Sequence, residues 1–302
     1  MDNHAVFHPP RRMGLAFHMI AILILALAGV WGLSQASRAQ AGLSFLLYLL
    51  PGGLAVLIIP RLIYQVVALQ RSSYTIERDG IRLRWGLRSE DIPITAVQWL
   101  GPSSQMKPAF RGAPPYLPGA LLGMRKLADG RPLEFMASHS DQLLVILTAQ
   151  RAFAISPEDP AAFMQSFRKL SEYGSLSPMA ARTVYPDFIG QGFWADRPAR
   201  TLLLAAAVAS LGLLIWVTLA IPTHSNISLH LAIDGSAVEQ VPAVRLMLLP
   251  VLNSFFFVLD TLLGIVFYRR GPTRPLAYMM WAASLLTALL FSAAVFFILR
   301  AG

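Results

Sequence analysis

Residues Tyr74-Thr75-Ile76-Glu77-Arg78-Asp79-Gly80-Ile81-Arg82-Leu83-Arg84-Trp85-Gly86 alternate apolar and polar side chains with period two. That period belongs to half-buried strands, and an Asp-Gly pair between two such runs marks a tight hairpin. Counting outward from a two-residue Asp79-Gly80 turn sets Ile76 opposite Leu83 and Tyr74 opposite Trp85 on a buried face. The same register sets Glu77 opposite Arg82 and Thr75 opposite Arg84 on the wet face.

Downstream, short alternating runs continue at 92–100, 120–126, 132–137, 142–147 and 152–155. A Pro- and Gly-rich loop fills 105–118, and Asp129-Gly130 and Ala149-Gln150 supply turns. Ser156-Pro157-Glu158-Asp159 has the form of a helix start: Ser at the N-cap, Pro in the first position, acids in the first turn. Phe163, Phe167 and Leu170 then mark one apolar helix face through about Tyr173. Seven short strands followed by one helix is the element order of a pleckstrin-homology-like barrel.

On either side of this region the solvent changes. The 302 residues are 55% hydrophobic and 14% charged, against about 25% charged in soluble domains. The deficit falls in five apolar blocks at 14–33, 43–60, 202–221, 246–268 and 276–299. A bilayer crossing takes roughly 17–25 apolar residues, so each block predicts a transmembrane helix. The second carries Pro51-Gly52-Gly53, which predicts a kinked span continuing through Leu62, Ile63 and Tyr64, with Arg61 snorkelling to the interface. Arg11-Arg12, the first block and Ala39-Gln40-Ala41 also follow the order of a signal peptide, but the apolar run exceeds the roughly 7–15 residues of an h-region.

The expected fold class is therefore an α-helical membrane bundle of about five spans with an inserted β-rich PH-like barrel capped by one C-terminal helix. Residues 1–71 form a tail and two spans, 72–173 the inserted domain, 174–199 an interfacial linker, and 200–302 three spans with an outer loop at 222–243. Arginines set the orientation. An inside N-terminus gives Arg11, Arg12, Arg61, Arg71, Arg197, Arg200, Arg269, Arg270 and Arg274 to the cytoplasmic side, and only Arg38, Arg245 and Arg300 to the outer side. The expectation is N-terminus in, inserted domain in, C-terminus out.

The run from Tyr74 to Gly86 resembles the opening of bacterial pleckstrin-homology-like domains found in multi-pass membrane proteins. Ile92-Pro93, Pro118-Gly119, Gly123, the strand Leu143-Leu144-Val145-Ile146-Leu147-Thr148 and Ile155-Ser156-Pro157-Glu158-Asp159-Pro160 extend the resemblance over about 70–173. Phe193-Trp194-Ala195-Asp196-Arg197 and the closing helix pair are similar too. The resemblance implies a bacterial inner-membrane protein and brings no catalytic residues.

The absence of cysteine excludes disulfides, thiolate catalysis and Cys-ligated metal. His4, His8, His18, His224 and His230 show no metal-ligand spacing, and no metal or cofactor is expected. His139-Ser140-Asp141 has the residue types of a hydrolase triad, but three consecutive residues cannot face one another as a triad requires. The net charge of +9 belongs to the cytoplasmic loops, and no aromatic-interleaved basic stripe points to nucleic acid.

Three candidate regions remain. Arg82, Arg84 and Arg88 could present a basic surface. Tyr185, Phe188, Phe193 and Trp194 read as interfacial anchors. Asp260 and Asn253, seven residues apart on one helix face, could form an intramembrane polar cluster with His18 and Arg61. Two functional expectations follow. In the first, a non-catalytic bundle tethers a module that binds a protein or peptide at the cytoplasmic face. In the second, a transport or channel component works through Asp260. The partners are the bilayer and a protein or peptide; the sequence leaves the oligomeric state open.

Overall fold

The computed structural model describes residues 4–106, 112–172, 179–184, 196–224, 226–228 and 240–301. Among these described residues, five helices are long and apolar enough to cross a membrane: Arg12–Ala36, Leu43–Gln70, Arg197–Thr223, Ala243–Arg269 and Arg274–Arg300. Each covers one of the apolar blocks. Their outward faces carry bare aliphatic groups, such as Leu27, Val56 and Leu57 at 63%, 75% and 75% exposure. A helix apolar on all sides requires a solvent other than water. The α-helical parts are named α1 (Arg12–Ala36), α2 (Leu43–Gln70), α4 (Arg197–Ala220), α5 (Leu248–Arg269) and α6 (Arg274–Ala301), with a shorter α3 at Pro160–Glu172. Helix α2 is continuous through Pro51-Gly52-Gly53.

The chain forms two compact units, Met1–Leu27 with Leu54–Pro186, and Ala28–Gly53 with Asp187–Gly302. In the first, two five-stranded sheets share a core. One sheet has the order β1 (His4–Phe7), β2 (Ser73–Glu77), β3 (Gly80–Trp85), β4 (Arg88–Pro93), β10 (Arg182–Val184), all antiparallel. The other runs β5 (Val97–Pro102), β8 (Leu144–Thr148), β9 (Ala152–Ile155), β7 (Pro132–Ala137), β6 (Leu121–Lys126), with only the β7–β9 pair parallel.

The sheets are not closed into the expected barrel. The free edge of β4 is taken by β10, so no strand of the second sheet hydrogen-bonds there. Among the described residues, eight strands, not the seven expected, lie between residues 72 and 173, because the run at 92–100 is broken by a 3-10 turn at Ile94–Ala96 and Arg88–Pro93 pairs as a strand of its own.

The hairpin alternation is as the sequence indicates, with Tyr74, Ile76, Leu83 and Trp85 at 2% exposure or less. Its register is not. Ile76 faces Ile81, Tyr74 faces Leu83, and Thr75 faces Arg82, so the turn is Arg78-Asp79 and Gly80 is already in β3. A two-residue shift leaves every side chain on its original face, so alternation alone cannot detect it. Ile81, on that same face, is fully buried. Gly80 is required by space: a Cβ there would run into the Ile92 carbonyl oxygen of β4.

Helix α3 starts three residues later than the Ser156 reading. Asp159 accepts a hydrogen bond from the Ala162 amide at 2.9 Å, and Pro160 takes the first helical position. Ser156 is instead buried, its Oγ accepting from the Ser138 amide at 2.8 Å. Phe163 enters the core, with Phe167 and Leu170 packed against it.

In the second unit α4, α5 and α6 pack together. A Cβ at Gly264 of α5 would strike the indole of Trp281 on α6, which fixes how these two helices meet. Between α4 and α5, β11 (Asn226–Ser228) and β12 (Gln240–Pro242) pair antiparallel.

Candidate functional site

The β-module is seated directly on the ends of α1 and α2. Ala68 and Leu69, the last turn of α2, belong to the same core as Tyr74, Trp85 and Phe153. Phe7 and Leu15, on either side of the start of α1, pack against it, and Phe7 meets Phe163 edge-on at 5.1 Å. Arg11 donates to the Ser72 carbonyl at 2.6 Å, and the Glu158 amide donates to the His8 carbonyl at 2.9 Å. Gly14 and Gly119 meet backbone to backbone: a Cβ on Gly14 would stand 2.5 Å from the Gly119 Cα and 2.7 Å from a Leu69 methyl. Gly119 has φ +83°, open to glycine alone at low strain.

Both flanks of the first sheet are closed by segments from outside the hairpin region, β1 on β2 and β10 on β4. At the β4 edge the pairing is more than backbone. Arg88 is buried at 7% exposure. Its Nε and Nη2 grip the two carboxylate oxygens of Glu134 on β7 at 2.8 and 2.9 Å, and Nη2 also reaches Glu90 at 2.7 Å. Nη1 donates to the Ser89 carbonyl at 2.6 Å and to the Val184 carbonyl of β10 at 3.2 Å. The second oxygen of Glu90 accepts from the Thr183 hydroxyl at 2.9 Å. Burial pulls the guanidinium pKa down, but the Glu134 pair and then Glu90 outweigh it and hold it above the ordinary arginine value. One cation thus bridges two sheets that share no backbone bonds at this seam, and one carboxylate reads a side chain on an added strand.

Of the candidate basic surface, Arg84 alone is exposed. Arg82 pairs with Glu77 at 3.1 Å and lies 3.8 Å from Asp91, and Arg88 is interior. Tyr185, Phe188, Phe193 and Trp194 lie outside the described residues. His18 is fully buried, with Nδ1 2.7 Å from the Gly14 carbonyl oxygen and Nε2 2.8 Å from Gln65 Oε1. Arg61 is exposed on α2. On α5, Asn253 is buried with its amide nitrogen unpartnered, and Asp260 on the same face is half-buried. Among the described residues, no group of three or more His, Asp or Glu could hold a metal ion.

Asp196 was not legible as a site. It caps α4, accepting from the Ala199 amide at 3.4 Å, with Pro198 in the first turn. It also accepts the Tyr278 and Tyr268 hydroxyls at 2.5 and 2.8 Å, tying α6 and α5 to the start of α4. Arg274 lies 5.1 Å over the Tyr268 ring. The Tyr278 hydrogen bond, then that of Tyr268, outweighs burial and holds the Asp196 carboxyl below its ordinary pKa. Asp followed by Pro two residues on, before an apolar run, was the available signal for the cap; the tyrosines had none.

These features define a β-module fixed on the ends of a helix pair and, by itself, a unit in which three long helices pack together. Residues 72–171 match the family model described as Bacterial PH domain. The match runs from the end of α2 to the end of α3 and leaves β1, β10 and all five long helices outside it. No curated protein and no solved structure matches the chain.

Proposed function

We propose that this chain is a non-catalytic membrane protein whose PH-like module takes an extended segment of a protein partner along the β4 edge. The supporting observation is the chain's own use of that edge. Residues 182–184 lie on β4 as a strand, and Thr183 and the Val184 carbonyl are held by Glu90 and Arg88. An edge that binds one extended segment by main chain and side chain has the chemistry to bind another. In this reading the module faces the cytoplasm of a bacterium from its inner membrane, with the N-terminus in and the C-terminus out. Reporter fusions at Gly302 and near Gln105 should give opposite sides.

Docking can be tested in native membranes with a photo-crosslinking side chain at Ser89, which faces Val184 across the edge. The expected product is a stoichiometric adduct with a second polypeptide. Its yield should rise when Arg182, Thr183 and Val184 are replaced by glycine. Adducts confined to the chain itself in both versions would reject the proposal.

A second reading, a transport component, rests on α5. Asn253 is buried with a free amide nitrogen on the face that carries Asp260. Polar groups at that depth are costly, on the order of 2.5–3.5 kcal/mol for a charged Asp at a span centre, and usually serve a purpose. Proton- or ion-coupled flux in liposomes, abolished by Asp260→Asn, would support it; no flux with the wild-type chain would dismiss it.

A further inference from the structure

The β-module has two loops whose apolar side chains point away from its core, and both lie against the same turns of the α1–α2 pair. Gly119 touches Gly14 and Leu69. Gly86, at φ +57°, stands over Ala68 and the Tyr64 hydroxyl. The level of these contacts along the helices is fixed independently by the His18–Gln65 contact, which pairs α1 with α2 four residues further in. Residue 14 opens the apolar run of α1, so both loops meet the helices at the boundary of the apolar segment.

At that boundary the loops expose hydrocarbon. Leu87 is 51% exposed, and Tyr116, Leu117 and Leu122 beside Gly119 are about 40% exposed. Leu117 is close to Gly119 because the Ala120 amide bonds back to its carbonyl at 2.9 Å. Arg12 at the start of α1 and Arg84 next to the Gly86 turn are exposed nearby in sequence, where cations would meet lipid phosphates.

We propose that the turn at Leu87 and the segment Tyr116 to Leu122 are seated in the headgroup region of the bilayer, so that the module is a membrane-immersed body rather than one held above the surface. The occupant of this apolar rim is the lipid around α1 and α2, continuous with the lipid that covers those helices. This rests on the reading of α1 and α2 as membrane spans and is independent of the partner on β4. Leucine and tyrosine side chains flanked by cations are the composition of an interfacial contact.

The natural absence of cysteine makes the test direct. Single substitutions Leu87→Cys, Leu117→Cys and Gln150→Cys in the full chain, labelled with an environment-sensitive fluorophore, would be placed in liposomes containing brominated lipid. Gln150 is exposed at the β8–β9 turn and serves as the aqueous control. Leu27→Cys, on the outer face of α1, reports whether that helix is in the bilayer at all. The expected result is several-fold stronger quenching at positions 87 and 117 than at 150, with 27 quenched as well. Quenching at 27 while 87 and 117 match 150 would overturn the immersion. No quenching at 27 would reject the spans themselves, and the immersion with them. Before labelling, the cysteines at positions 87 and 117 should resist a membrane-impermeant thiol reagent, whereas the cysteine at position 150 reacts.

Discussion

The two units each gather polar groups around one charge, with opposite chemistry. In the first, a buried cation, Arg88, is surrounded by the carboxylates of Glu90 and Glu134. In the second, an anion, Asp196, is surrounded by two phenols and an amide. Each sits where the backbone offers no bonds between the elements it joins: two sheets in one case, three helix ends in the other. The difference lies in what is desolvated. The Arg88 cluster buries three formal charges that need one another, whereas Asp196 is a single, half-exposed charge served by neutral donors. The first should therefore be expensive to disturb, and the second milder and acid-labile.

The largest expected effect follows from removing the cation. Arg88→Met leaves two carboxylates facing each other in the interior and should cost about 3–5 kcal/mol in thermal unfolding of the full chain in nanodiscs. Adding Glu134→Leu should restore part of that loss, since an uncompensated charge is removed. Undiminished stability in Arg88→Met alone would mean that the seam is held by something else.

Gly80→Val should come next, at about 1–3 kcal/mol, because the new side chain meets the Ile92 carbonyl oxygen. A melting temperature equal to wild type would contradict the Arg78-Asp79 turn register.

Asp196→Ala should cost about 2 kcal/mol through loss of the cap and two charge-assisted hydrogen bonds, while Asp196→Asn keeps much of the cap. The pH dependence has a definite sign. The folded carboxyl titrates below its ordinary value of 3.8, so its contribution is complete above that value and lost as pH falls through the lower folded value. Acid titration of the melting temperature should therefore be shallower in Asp196→Asn than in wild type below about pH 4. Parallel curves would show that this carboxylate carries no linked proton.

The smallest effect belongs to the added strand. Thr183→Val removes one hydroxyl from Glu90 and should cost about 1 kcal/mol locally, read as faster amide hydrogen exchange at 182–184 with little change in global melting. Unchanged exchange would mean that β10 is held by its backbone bonds alone.

Much of the architecture was legible because it depends on local periodicity. The five long apolar helices, the alternation around Tyr74 and Trp85, and the apolar face of α3 all repeat within a few residues. What escaped was set at long range or by short segments. β1 and β10 have four and three residues, too few for a periodic signal. Arg88 reads as part of a basic surface until Glu134, 46 positions away, is placed against it. Asp196 finds its phenols 72 and 82 positions along the chain. The Ser156 reading failed because two adjacent segments satisfy the same capping rule, and Asp159-Pro160 satisfies it with a stronger acceptor.

The last turn of α2 serves two masters, since Leu69 is at once the end of a membrane-length helix and part of the interior of the β-module. Only Arg71 and Ser72 separate that helix from β2, and Ser72 is fully buried. There is no slack at this joint. A piston stroke or rotation of α2 cannot be absorbed by a hinge here. It must either carry the whole module with it or pull a side chain out of the module's interior.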